Sequence, residues 1–487
     1  MLGLIESVLL SFRGCFHRLG SFKWFTVVVS SLLVRNDRLG VTSAIRDLNL
    51  SDRCYENMLN FFRSSAYRIS EIRLQWYKVI ISKAPVYRVC GRAVIAGDGV
   101  KQSKEALYMP GVKKMAQESE TCSKPEFIHG HMFGAVGIVV SNAFKKFCLP
   151  LKINIQEGLK TMASWKEAHG IIEISDKSHV EQMIESGFEV ARIIGKSFFL
   201  LDRYFLTKTA IQLLDKLNLA ESDEDKLLEV ITKAKTNCVA YRRPYKKKGT
   251  KGRPRKRGSS VKLISLFSQK RFFRETKMMM YGKEETVSYY CLNLLWGQGV
   301  YRELRFVLVK YGEKQSILVS TDTSLDPITI IQLYCIRFGI EELFRELKQQ
   351  IGGFCYHFWS KEQPKLNHFA KRGSADPLCA ITDSGCRKKI IWTVRAIESY
   401  VMCSVIAMGI LQLLALDERY SDEVIRSRYL RTYSNVIPSE ATVMYYLRKH
   451  IFSLLNNSSH SFVTQYIHEK QGWRKAESQD IQTDKTA

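Results

Sequence analysis

The chain has 487 residues, with 74 Lys and Arg against 48 Asp and Glu, a formal charge of +26. Its 45% hydrophobic and 11% aromatic content is enough to build cores, which excludes a chain disordered throughout, and the length suggests roughly two to four domains. A surplus this large points to a polyanion, either nucleic acid or an anionic membrane surface. The twelve cysteines are scattered singly from Cys15 to Cys403 without any C-x-x-C pair, so a structural zinc module is not expected. With no secretory pattern evident, free thiols in a reducing cytoplasm are the expectation.

Residues 1–90 read as a helical domain. Val41–Arg63 reads as two short helices about a Leu-Asn-Leu-Ser turn, with Ser51 as the cap of the second and Glu56 in its early turns. This is the pattern of a DNA-binding helix-turn-helix or of an ordinary helical hairpin. Residues 91–204 change character. Short apolar strands are expected at Arg92–Ala96 (ending at Gly97-Asp98-Gly99), Phe133–Val140 and Cys148–Ile155. An amphipathic helix over Ser178–Ile194 follows, then a strand at Ser197–Leu201 ending on Asp202. That order predicts an α/β fold with a mixed sheet flanked by helices.

Residues 205–315 read as a largely β-rich insertion. Helices are expected at Thr207–Leu217 and Glu224–Lys235, and strand-like runs at Val261–Phe267, Thr286–Leu295 and Leu304–Lys310. Between them Arg242–Arg257 holds ten basic residues and no acid. Residues 316–416 return to the core with a strand at Ser316–Ser320 and a helix opened by Asp326-Pro327 and running to about Gln350. A polar loop over residues 363–389 and two helices follow. Residues 417–487 read as a C-terminal helical region with a frayed tail. Ser399–Leu416 has eighteen residues without a charge, the lower limit for a membrane span, but the reading preferred is a buried helix and no membrane.

The helix after Pro327 carries Tyr334, Arg337, Glu341 and Lys348 along one stripe, while Ile336, Ile340, Leu343 and Leu347 make an apolar stripe about 100° round. Asp98 follows one strand and Asp202 another. Each is also compatible with a bland role, Asp98 in a hairpin turn and Asp202 as a helix cap. Together, two aspartates at strand ends and a glutamate on a helix packed against the sheet can hold two Mg²⁺ ions. Two such ions assist in-line displacement at phosphorus.

The pattern Tyr334-x2-Arg337-x3-Glu341-x6-Lys348 resembles the Tyr-Arg-Glu-Lys signature of the DDE transposases of bacterial insertion sequences. Gly97-Asp98-Gly99 with Met109–Lys114, and Leu201–Phe205, resemble the first and second aspartate regions of that family. The resemblance implies a ribonuclease-H-like catalytic domain, with Asp98, Asp202 and Glu341 as both catalytic and metal-binding residues. Two Mg²⁺ ions are implied, with Mn²⁺ as substitute. It also implies cleavage and strand transfer at the ends of a mobile element. The partners would be double-stranded DNA, as terminal inverted repeats and as target, and a second copy of the chain in the synaptic complex. The protein would be cytoplasmic, nucleoid-associated when bound to DNA.

Under that reading Tyr334, Arg337 and Lys348 contact phosphates, which sets register without reading sequence. Trp296 is a candidate to stack on a flipped base or, alternatively, a core aromatic. The basic run supplies Arg242, Arg243, Lys246, Lys247, Lys248, Arg253, Arg255, Lys256 and Arg257 as DNA contacts. Within it, Gly252-Arg253-Pro254 resembles a minor-groove arginine hook. His129 and His131 are read as structural. The alternatives are an inactive transposase-derived DNA-binding protein and a nuclease without strand transfer.

Overall fold

The computed structural model describes residues 1–37, 39–117, 126–221, 225–245, 255–280, 282–370, 373–429, 431 and 437–483, with side chains up to residue 472. The chain forms two compact units, each from separated segments. One comprises Met1–Val86, Gly99–His179 and Glu342–Ala487, the other Tyr87–Asp98 and Val180–Glu341.

The larger unit is organised round the helix Ser384–Leu416. The Asp383 carboxylate caps it, accepting from the Cys386 N–H at 2.8 Å. Beyond Glu398 the helix carries no charge and is buried on every face, as a helix without a charged face must be. It packs on the strand Lys146–Ile155 and on the helices Leu19–Val34, Cys54–Phe62, Ile69–Lys83 and Glu440–Asn456. The helix is long and apolar enough to cross a membrane, yet its apolar window is fully buried in the fold. At Gly409 a Cβ would lie 2.2 Å from the Trp76 ring, whose Nε1 donates to the Pro150 carbonyl at 2.8 Å. Strands Lys113–Ala116, Phe127–Ser141 and Lys146–Ile155 pair antiparallel against this layer. The eleven described cysteines are free thiols.

Two polar groups sit inside this apolar layer. The Arg395 guanidinium donates to the carbonyls of Ser64 (2.9 Å), Ile171 (2.8 Å) and Tyr67. The buried Glu398 carboxyl accepts from the Ile155 N–H at 3.1 Å. Burial pushes the Glu398 pKa up to about 7, against smaller opposing contributions from the Ile155 N–H, Arg73 and Lys152.

In the smaller unit the first half of the strand Arg92–Ser103 runs parallel to Ser197–Leu200, with Ala93 opposite Ser197 and Ala96 opposite Leu200. Ser197–Leu200 is in turn parallel to Leu228–Lys233, the helix Lys208–Glu221 making the crossover. Lys314–Ser320, Arg302–Tyr311, Lys283–Trp296 and Arg274–Met280 extend the sheet antiparallel. The helix Pro327–Ile336 packs on Leu228–Lys233 and Lys314–Ser320. The result is a mixed sheet flanked by helices, the α/β class expected from the order of elements.

Several elements differ from the sequence reading. Leu228–Lys233 is a strand, not a helix, because Leu228, Val230 and Ile231 are buried between two neighbouring strands. Arg92–Ser103 continues through Gly97-Asp98-Gly99, so Asp98 lies within a strand rather than at its end or in a hairpin turn. Of the Val261–Phe267 run only Val261 and Lys262 are extended, in the strand Ser260–Lys262, and Leu263–Ser268 is 3-10 helix. Arg274–Met280 is a strand the sequence reading did not include. Ser51 makes no cap: its hydroxyl is buried without a hydrogen-bond partner, while Asn49 takes the left-handed conformation of the turn at φ 51°.

The helix after Pro327 is also not continuous. It ends at Ile336 and resumes over Gly339–Glu346, then loosens into a π-helical turn at Leu347–Ile351. At the break, Arg337 N–H reaches back three residues to Tyr334 and Glu341 N–H to Phe338, tightening the turn. Gly339, a poor helix former, sits at this point.

Glu398 generates a testable pH dependence. Its folded pKa lies above its ordinary value of 4.5, so the folded state holds the proton longer than the unfolded chain. Stability therefore falls as pH rises from about 4.5 to about 7 and levels off above that. Glu398→Gln should remove this slope and raise stability at pH 8 by roughly 3 kcal/mol, at 1.36 kcal/mol per unit of pKa. Denaturant unfolding at pH 5 and pH 8 measures it, and equal slopes in both proteins would contradict the assignment.

Candidate active site

The local geometry begins with Phe199 on the strand Ser197–Leu200. A Cβ on Gly97 would lie 2.5 Å from the Phe199 ring, and one on Gly187 2.3 Å from it. The ring therefore occupies the space that side chains at both positions would need. Gly97 lies in the neighbouring strand and Gly187 in the helix His179–Ile194, so the three residues draw two strands and a helix together. Asp98 follows Gly97 directly.

Asp202 lies two residues beyond Leu200 on its strand, as Asp98 lies two beyond Ala96 on the parallel neighbour. The main chain at Asp202 is fixed from the other side. Leu201 N–H donates to the Ile231 carbonyl at 2.9 Å, and the Thr232 hydroxyl to the Asp202 carbonyl at 2.9 Å. Asp202 also heads the 3-10 turn Arg203–Phe205, its carbonyl accepting from Phe205 N–H at 3.0 Å. The strand found at Leu228–Lys233 thus supports the second aspartate. Its Val-Ile-Thr run was the signal for it.

Arg337 connects the carboxylates. Its Nη1 is 3.1 Å from Asp98 Oδ2, and its Nη2 makes an ion pair with Glu341 Oε1. The guanidinium also lies over the Tyr334 ring, 5.9 Å from the centroid. Burial alone would lower the Arg337 pKa, but Asp98, Tyr334, Glu341 and Asp202 outweigh it and hold the value above the ordinary one. One cation therefore feels all three acids singled out in the sequence. Among the described residues no three His, Cys, Asp or Glu side chains converge closely enough to hold a metal ion. The donor set still suits a hard cation, because three carboxylates supply only oxygen ligands.

The remaining candidates are distributed differently. Lys348 belongs to the larger unit, where its Nζ donates to the Lys101 carbonyl at 3.3 Å. Trp296 ends the strand Lys283–Trp296 opposite Arg302 and packs, half-buried, against a core cluster that includes Ala240, Leu294 and Leu304. In the basic run, Arg243 makes a paired contact with Glu303 at 2.6 and 2.5 Å, and Arg257 stacks over Tyr241 at 4.3 Å. Arg242, Arg255 and Lys256 are exposed. Lys246, Lys247, Lys248 and Arg253, with the Gly252-Arg253-Pro254 hook, lie outside the described residues. His131 is structural: it is buried between the Tyr356 hydroxyl at 2.6 Å and the Pro110 carbonyl at 2.8 Å.

Residues 174–361 match the family model described as a transposase DDE domain. The matched segment contains Asp202, Tyr334, Arg337, Glu341 and Lys348, while Asp98 precedes it. The match supports a DDE transposase family. No curated protein and no solved structure matches the chain.

The packing round Phe199 gives a direct test. Gly97→Ala places a methyl group inside contact distance of the ring, and overpacking of this kind costs about 1–3 kcal/mol. The variant should lose that much in denaturant unfolding, and Phe199→Leu in the same chain should restore most of it. If Gly97→Ala is as stable as the parent, the close packing is not a constraint.

Proposed function

We propose that the protein is a transposase that binds the ends of its mobile element, cuts DNA there and joins the ends to a target. The observation that carries the reading is the placement of Asp98 and Glu341 on one guanidinium that also feels Asp202, in a chain whose residues 174–361 match a transposase DDE domain. A transposase must hold a phosphodiester, whose charge a +26 chain attracts, and must place carboxylates beside it.

Asp98, Asp202 and Glu341 would hold divalent ions, Mg²⁺ by preference with Mn²⁺ as substitute. When bound, two such ions neutralise the attacking and leaving oxygens of an in-line displacement. The chain's own part is positional. Strand pairing fixes the main chain at Asp202 and in the strand that carries Asp98, and the turn at Arg337 puts Glu341 on the guanidinium that also contacts Asp98. With the acids occupied by cations, Arg337 would be free for a phosphate oxygen, where its planar fork would orient the scissile group. Tyr334 would add a further phosphate contact. Lys348 and the exposed cations Arg242, Arg255 and Lys256 would neutralise flanking phosphates. In the synaptic complex two copies would hold the two inverted repeats, each supplying one set of acids.

Asp98→Ala, Asp202→Ala and Glu341→Ala should each abolish cleavage of labelled element ends in Mg²⁺, while end binding in a gel-shift assay stays within a few-fold of the parent. Mg²⁺ should raise the melting temperature of the parent and have a smaller effect on each variant. Full cleavage by any one variant would sink the assignment of that residue. Cleavage by the parent without joining of ends to target would favour a nuclease, and binding without cleavage an inactive relative.

A further inference from the structure

The two aspartates of the candidate site are held in different ways. Asp98 lies inside the continuous strand Arg92–Ser103, with strand residues on both sides of it. Asp202 lies past the end of its own strand, because the parallel ladder to Leu228–Lys233 stops at the pair Leu200 and Ile231. One further main-chain bond follows, from Leu201 N–H to the Ile231 carbonyl at 2.9 Å. The supporting chain then bonds to its other neighbour, Ala234 N–H donating to the Ile317 carbonyl at 2.8 Å. The peptide after Asp202 is held by a side chain instead: the Thr232 hydroxyl donates to the Asp202 carbonyl at 2.9 Å.

Thr232 is only 2% exposed. A valine there would suit a buried strand as well, whereas an interior hydroxyl costs free energy unless it is hydrogen-bonded. The bond to Asp202, 30 positions back in the chain, meets that need. The same carbonyl accepts from Phe205 N–H at 3.0 Å, and Phe205 is buried, so the peptide is held both from the strand and from the turn. With the chain held at Leu201 and at the peptide that follows Asp202, the direction of the Asp202 Cα–Cβ bond is set. Only two side-chain torsions then remain to place the carboxylate. Aspartate is short, so a shift of its main chain passes to its oxygens almost undiminished.

We propose that Thr232 is a positioning residue for the second carboxylate: its hydroxyl fixes the peptide after Asp202 and so sets the Asp202 side chain for a divalent cation, which rests on the reading that Asp202 holds such an ion. Groups behind a metal ligand orient it, and their loss weakens metal binding by about 10- to 100-fold. Thr232 acts on the main chain of the ligand rather than on its carboxylate, which puts its effect at the lower end of that range.

The full-length protein titrated with Mn²⁺, with the free ion followed by its EPR signal, provides the test, and the Mg²⁺ dependence of element-end cleavage repeats it. Thr232→Val removes the hydroxyl and keeps the volume. It should weaken Mn²⁺ binding about 10-fold and raise the Mg²⁺ needed for half-maximal cleavage by the same factor. Thr232→Ala, which brings no methyl group against the carbonyl, should do the same should the valine variant not fold. Thr232→Ser keeps the hydroxyl and should bind Mn²⁺ as the parent does. A role confined to packing would lower the melting temperature of these variants and leave ion affinity unchanged. In an Asp202→Ala background Thr232→Val should cause no further loss of ion binding, because both act through one ligand. Parent-like Mn²⁺ affinity in the valine and alanine variants, with Asp202→Ala weakened, overturns this inference alone. So does a full additional loss in the Asp202→Ala background, or a serine variant as weak as the valine one. If Asp202→Ala binds Mn²⁺ as tightly as the parent, or the parent binds none, the metal assignment to Asp202 fails as well.

Discussion

The Phe199 ring has two glycines for neighbours, and the rest of the candidate active site depends on that packing. Interiors are packed too closely to absorb an extra methyl without cost, so the ring fixes how near Gly97 and Gly187 approach it. One of these contacts sets the spacing of two parallel strands, the other the height of a helix above them. Asp98 inherits its position from the first. Asp202 inherits its own from the Phe199 strand and from the hydrogen bonds of the strand on its far side. The placement of both acids therefore follows from side-chain volume and main-chain pairing, before any charge is considered.

Charge then decides how the acids coexist. Carboxylates brought together without a counter-charge repel, and the usual outcome is that one takes up a proton. Here Arg337 supplies that counter-charge, bridging Asp98 and Glu341, with the Tyr334 ring beneath it and Asp202 in range. A guanidinium is suited to this task because it stays charged at any working pH and offers a planar fork of donors. The same fork suits a phosphate.

What could be read from the sequence follows a physical division. Spacing along one element is visible: the offset of four residues from Arg337 to Glu341 produces the contact found, and the apolar run Ser399–Leu416 is the buried helix it resembled. Packing between distant segments is not visible. Gly97 looked like punctuation at a strand end because glycine commonly marks turns, whereas here it is absent bulk opposite Phe199. Leu228–Lys233 looked helical because its neighbours Glu224 and Lys235 favour helix, although burial between two strands decided otherwise. The helix break at Arg337 was hidden for the same reason: the periodic pattern continues through it, and only the turn hydrogen bonds show the interruption.

The two histidines of one strand show how far residue type alone can mislead. His129 and His131 lie two apart and point to the same face of their strand, yet only His131 has both nitrogens satisfied, by a tyrosine hydroxyl and a carbonyl, and is closed off from solvent. His129 instead meets a second imidazole at the wall of an open cleft. Reading both as structural follows from the lack of further metal-ligating residues near them in the sequence. The distinction arises from residues 225 and 239 positions away, Tyr356 for His131 and His368 for His129, brought to the strand by the fold. A side chain whose partners are all internal serves the fold alone, and which partners it finds is decided by segments that no spacing along the strand reveals.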